Sequence, residues 1–227
     1  MMLELKNIGK VYRGSSVETV ALKGVSLSVE EGEYVAIMGT SASGKSTLLN
    51  ILGGIDRPTE GSYFFGDSDI SACSMKKLHE FRRDHIGFVF QNFALMNRYT
   101  VYENVELPLL PRRTGRAERK KRVTELLGAV GLSGLEKKKP LELSGGQQQR
   151  CAIARALVSD PELLLADEPT GALDQKTGAE IMELFDRIHR EGKTVILVTH
   201  DPGVAEHAER LIRIEDGCIK SDKRKQK

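Results

Sequence analysis

The stretch Gly39-Thr40-Ser41-Ala42-Ser43-Gly44-Lys45-Ser46, followed by Thr47, spells GxxxxGK[ST]. Small side chains in such a loop let successive backbone N–H groups close around a row of phosphates, and a helix N-terminus adds a dipole that favours negative charge. Gly39 and Gly44 supply the room and the unusual dihedrals. Lys45 supplies a mobile charge for the β- and γ-phosphates, and the Ser46 hydroxyl is placed to ligate Mg²⁺. The plainer alternative is a glycine-rich turn into a helix; the apolar run before the loop and the helical spacing after it weigh against that.

A second group of reactive types is Asp167-Glu168, at the end of the apolar run Leu163-Leu164-Leu165-Ala166. In a parallel sheet, strand ends of this kind present ligand-binding groups. There Asp167 would hold Mg²⁺ through water and Glu168 would polarise an attacking water. Alone, two acids after a strand are more often a solvated strand end. Leu143-Ser144-Gly145-Gly146-Gln147, continued by QQRCAIARAL, combines a hydroxyl, two glycines and a helix start, which is another anion-binding surface; Ser144 could also simply cap that helix. His200 follows the apolar run Thr194 to Val198, although a lone histidine is more often structural or merely exposed.

These groups need strands to carry them. Tyr34-Val35-Ala36-Ile37-Met38 reads as a strand into the phosphate loop, and Leu48, Leu49, Ile51 and Leu52 as the helix out of it, ending at Gly53-Gly54. Leu3–Val11 and the residues from Val20 predict short strands, broken by RGSS and EEGE, that open the chain as an antiparallel sheet. From about Met75 to Leu157 the sequence is charge-rich and helix-forming, which predicts helices inserted between core strands. Strand character returns at 163–166 and 194–198, with an amphipathic helix around Gly178–Arg190 between them, the rhythm of a parallel sheet. KSDKRKQK at the end reads as a frayed, solvated tail.

The composition of the 227 residues excludes several classes. Thirty-four Lys+Arg against 32 Asp+Glu leave +2, so overall charge makes no case for nucleic acid or an anionic membrane as the main partner. Cys73, Cys151 and Cys218 stand far apart without a CxxC pair, against zinc or a disulfide framework and in keeping with a reducing cytosol. The alternating, charged start is unlike a secretory signal, and no segment is apolar and long enough to span a bilayer. The expectation is a soluble protein whose membrane role, if any, runs through a partner.

LSGGQ at Leu143–Gln147 resembles the signature of the ABC ATPases, and the resemblance extends from about Leu3 to Ile219. It implies an α/β fold of the P-loop NTPase kind, with a mixed sheet core, an N-terminal antiparallel β subdomain and an inserted helical subdomain. A single domain over 2–220 is expected, with its core at 1–90 and 158–220, helices at about 91–157, and a basic tail at 221–227. The resemblance also implies a head-to-tail dimer in which Ser144, Gly145, Gly146 and Gln147 of one copy meet the γ-phosphate of ATP held by the other. By the same resemblance, Tyr12 stacks on adenine, though an ordinary strand tyrosine is the alternative. Gln91 senses Mg²⁺, with Ser46 and Asp167 as the other metal ligands. Gly171-Ala172-Leu173-Asp174 communicates across the dimer, and His200 contacts the γ-phosphate. Glu168 then orients water for in-line attack, while Lys45, Mg²⁺ and His200 stabilise the developing charge. One departure is Ala42, where the family usually has glycine; at positive φ its Cβ would cost about 1 kcal/mol.

Finer motifs, GGIDRPT from Gly53, IGFVFQ from Ile86, ENVELPL from Glu103 and ADEPTGALD from Ala166, resemble the lipoprotein-release, macrolide-export and cell-division group. That group implies a separate integral membrane permease, docking near Gln91–Leu110, and a place on the cytoplasmic face of the cell membrane. The apolar residues of that stretch could equally be core. The rivals are a soluble repair or translation ATPase, a kinase or GTPase sharing only the phosphate loop, and a nucleic-acid or membrane-surface module on the basic run Arg112–Arg122. Against them stand, in turn, the absence of a long coiled coil or second cassette, the signature with no NKxD sequence, and the interleaved Glu118.

Overall fold

Continuous apolar strands form only where both faces of a sheet are covered, and three segments here are of that kind. In the computed structural model, which describes residues 1–13, 18–112 and 114–225, β3 (Tyr34–Met38), β7 (Leu163–Asp167) and β8 (Thr194–Thr199) lie in a six-stranded sheet. With β6 (Ile86–Val89), β9 (Arg210–Glu215) and β10 (Cys218–Arg224) the strand order is β10-β9-β3-β8-β7-β6. All pairs are parallel except β9 with β10, so the sheet is mixed.

Side chains alternate across each strand, and the two faces feed separate cores. Tyr34, Ala36, Leu164, Ala166, Val195 and Leu197 pack with α5 (Gly145–Leu157), α6 (Gln175–Arg190) and the other inserted helices, α3 (Val101–Glu106) and α4 (Arg116–Ala129). Val35, Ile37, Leu165, Ile196, Val198 and Ile212 pack instead with α1 (Lys45–Leu52) and an antiparallel sheet. That second sheet joins β1 (Leu3–Arg13), β2 (Glu18–Val29), β4 (Glu60–Phe65) and β5 (Ser68–Asp69) in the order β2-β1-β4-β5. The turn expected at RGSS lies largely outside the described residues, as does Arg113 of the basic run.

The helix-rich stretch from Met75 divides in two. Leu78 and Phe81 of α2 (Met75–His85) pack with Tyr63 and Phe65 below the antiparallel sheet, β6 intervenes, and α3 to α5 follow between β6 and β7. The tail expected at 221–227 is corrected: residues to Arg224 belong to β10, hydrogen-bonded along β9 from Ile214 to Arg210. Charge counting alone hid the reason. Asp222 receives two bonds from the buried Arg210 guanidinium, at 2.8 and 2.6 Å, so this polar segment is held as an edge strand. Gln226 and Lys227 lie outside the described residues. A short α7 (Pro202–Ala205) follows β8. Among the described residues, no helix is long and apolar enough to cross a membrane.

Candidate functional site

Parallel sheets expose ligand sites beyond the carboxyl ends of their strands, and four of the predicted segments meet there. The phosphate loop leaves β3, Gln91 follows β6, Asp167 ends β7, and His200 follows β8. Close packing explains the loop's glycines. A Cβ at Gly39 would stand 2.2 Å from the Ile214 carbonyl oxygen, and Gly44, at φ 103°, would put one 2.6 Å from that of Ala21. Ala42 stands at φ 62°, so the position does require the left-handed region and bears the cost of a Cβ there.

Lys45 is buried, and its ammonium donates to the carbonyls of Gly39 and Thr40, both at 2.9 Å. The Ser46 hydroxyl donates to Asp167 Oδ1 at 3.2 Å, joining residues 121 apart in sequence. Burial raises the Asp167 carboxyl above the usual aspartate value; the Ser46 bond and the Lys45 charge oppose this, and the Glu168 charge adds to it. Ser41 and Ala42 are exposed, while Ser43 is buried with its hydroxyl unpartnered among the described residues.

Glu168 sits at φ 46° with its N–H donating to the Val198 carbonyl at 3.0 Å. This turn aims the carboxylate at His200, whose Nδ1 lies 2.9 Å from Oε1. The imidazole is 68% exposed against 13% for the carboxylate, so the ring has a free outer side. Gln91 comes beside the same turn: its Nε2 lies 3.3 Å from where a Cβ on Gly171 would be.

Tyr12 stands at the site's flank. The residue is 41% exposed, its hydroxyl donates to Asp56 Oδ2 at 2.8 Å, and Lys10 Nζ lies 4.8 Å from the ring centroid. Burial raises the phenol's pKa; a bond with Thr47, at the start of α1, counters this. Asp56 is held low despite burial by bonds from Lys10, Tyr12 and the Arg57 backbone. Sequence reasoning quoted Asp56 within a motif but gave it no work, because its partners are more than 40 residues away.

The signature lies elsewhere in the protomer. Ser144 caps α5 by accepting from the Gln147 N–H at 3.3 Å, and Gln147 Oε1 accepts from the Ser144 N–H at 3.0 Å. The capping alternative for Ser144 is therefore real, and it leaves the residue exposed. Gly145 and Gly146 face α6 and the turn before it: a Cβ on Gly146 would meet Thr177 Cγ2 at 2.4 Å. Asp174 caps α6, its carboxylate held low by bonds from the Thr177 hydroxyl and N–H.

The segment 91–110 divides between both alternatives. Val101, Val105 and Leu109 are core, whereas Met96, Tyr99 and Leu110 are exposed. Two further residues shape it. Asn104, fully buried, bonds Met96, Tyr99 and Thr100 backbone groups, and Arg155 of α5 donates to the carbonyls of Phe93 and Ala94. The signal for Asn104 was a polar residue on an otherwise apolar helix face. Within the basic run, Arg119 pairs with Glu106 and Arg122 with Glu118.

The sequence profile of the family described as ABC transporter matches residues 22–171. The ABC transporter ATP-binding protein YvrO of Bacillus subtilis is 51% identical over 223 residues, covering 98% of this chain and 97% of that one. The macrolide export ATP-binding/permease protein MacB of Nitrobacter winogradskyi is 49% identical over 97% of this chain, which spans only 34% of its length. Among solved structures, the dimeric post-hydrolysis state of the ATP-binding cassette MJ0796, bound to ADP and Pi, matches with a TM-score of 0.92 at 46% identity, covering 100% of both chains.

Proposed function

The chain belongs to the ABC transporter family, and from that premise we propose that it is an ATP-hydrolysing subunit which closes on ATP as a pair of copies and drives a separate membrane permease. One observation carries the reading. Lys45, Ser46, Asp167, Glu168 and His200 converge beyond the carboxyl ends of β3, β7 and β8, while Ser144 and Gln147 of the signature bond each other and, among the described residues, form no hydrogen bond with that cluster. A second copy would supply the missing side, as the dimeric form of MJ0796 suggests.

In this reading the backbone N–H groups of 39–47 and Lys45 hold the phosphates, and Tyr12 stacks on the base. Ser46 and Asp167 offer adjacent hard oxygens suited to Mg²⁺, and with Gln91 they are the residues that would hold it. Bound there, the ion would neutralise phosphate charge and relieve the burial penalty on Asp167. Glu168, oriented by its turn and by His200, positions the attacking water; Lys45 and His200 stabilise the charge that develops on the γ-phosphoryl group as it passes to water and ADP leaves. Ser144, Gly145, Gly146 and Gln147 of the other copy cap the γ-phosphate, so ATP favours the closed pair and its hydrolysis releases it.

The MacB proteins unite ATP-binding and permease parts under one name, which supports a permease partner of the macrolide- or lipoprotein-export kind for this chain. Exposed Met96, Tyr99 and Leu110 offer the docking contacts, on helices 91–157 that act as a subdomain against the core at 1–90 and 158–220, on the cytoplasmic face of the membrane. The test is Glu168→Gln. Turnover falls about 10²–10⁴-fold, and saturating ATP shifts the protein to a dimer in size-exclusion chromatography. A variant that hydrolyses at the wild-type rate, or stays monomeric with ATP bound, sinks the reading.

A further inference from the structure

The signature helix carries a fully buried amide that the proposed mechanism does not use. Gln149 lies on α5 three residues after Gly146, and on the face it shares with Gly146, Ala152 and Ile153, all of them buried. Its Nε2 donates to the Pro169 carbonyl at 2.6 Å, and its Oε1 has no partner among the described residues. Burying an amide with half its capacity unmet is costly, so the remaining bond needs a reason.

The acceptor's place supplies one. Pro169 directly follows Glu168, whose left-handed backbone sets the aim of its carboxylate. The neighbouring carbonyls of this turn are satisfied within it: Glu168 accepts from Gly171 and Thr170 from Leu173, both at 3.0 Å. Pro169 points its carbonyl inward to Gln149. Gly145 against Leu173 and Gly146 against Thr177 continue the same contact, so one face of α5 lies along 169–177.

We propose that Gln149 is a positioning residue for Glu168: it anchors the turn after β7 to the signature helix, and so fixes the carboxylate relative to His200 and the attacking water. The inference rests on the reading of Glu168 as the group that orients water. Without the bond the turn relaxes, ATP still binds at the phosphate loop, whose own residues the bond does not involve, and the chemical step slows; misplacement by about 1 Å can cost about 10²-fold.

Three variants test this by ATPase kinetics. Gln149→Leu, matched in size and without the orphan oxygen, keeps the wild-type melting temperature and KM while kcat falls by about 10²-fold. In Gln149→Glu the donor exists only when the carboxyl is protonated, and burial raises that pKa. Its kcat relative to wild type therefore climbs as pH falls, a profile that simple loss of packing would not produce. Folded Gln149→Leu with wild-type kcat, or a pH-independent ratio for Gln149→Glu, overturns the proposal; the second measurement decides if the leucine variant does not fold. Glu168→Gln, run alongside, keeps the two readings apart. Wild-type turnover there removes the role of Glu168 and this inference with it, whereas loss of turnover there with unaffected Gln149 variants removes this inference alone.

Discussion

Two helix N-termini flanked by glycines, those of α1 and α5, differ in what stands opposite them. At α1, whose own first residues are Lys45 and Ser46, two carboxylates and a histidine arrive from the ends of β7 and β8. At α5 Ser144 caps the Gln147 N–H, and one side is filled by Leu173, Thr177 and Pro169. One end therefore gathers the groups that the proposed chemistry needs, and the other is the surface proposed to bind an anion. Glycine does different work in each: at Gly39 and Gly44 it lets the loop fold against the core, whereas at Gly146 it lets two helices touch.

The sharpest way to break this contrast is to disable each end separately. Lys45→Ala and Ser144→Arg each lose turnover by about 10²-fold or more. Mixed together, they recover part of it, since a mixed pair holds one site with an intact loop and an intact signature. Failure to recover, with mixed dimers verified by differential tags, would show that the two ends do not meet across copies. A smaller effect separates the roles of the glycines. Gly146→Ala forces a methyl against Thr177 and lowers stability by about 1–3 kcal/mol, read as a fall in melting temperature, and Thr177→Ser restores much of it. The smallest concerns the loop itself. Ala42→Gly removes a Cβ from a left-handed residue and raises stability by up to about 1 kcal/mol, with slightly tighter ATP binding by titration calorimetry.

Much of the equipped end was legible because its pattern is local. The phosphate loop, its strand and its helix occupy consecutive residues, and the structure places the strand at Tyr34–Met38 and the helix at Lys45–Leu52, where spacing put them. The strand before Asp167 was equally plain. Less legible were side chains that serve distant backbone: Asp56 tethering Tyr12, Arg155 and Asn104 holding 93–100, and Gln149 reaching Pro169. Each is a polar residue in helix-rich or turn sequence, where its type alone also suits solvent. The final strand escaped for the same reason, since Asp222 looks like tail until Arg210 is placed beside it.

By itself the sequence determined the class of chemistry and the local conformations, because a phosphate loop, a capped helix and a buried strand are each written in neighbouring residues. Only the tertiary structure decided which groups face one another. The parallel register of β3, β8 and β7 brings Ser46 to Asp167 and His200 to Glu168 across gaps of 121 and 32 residues. Sheet register and helix packing are set by the whole core, so no short window of sequence contains them.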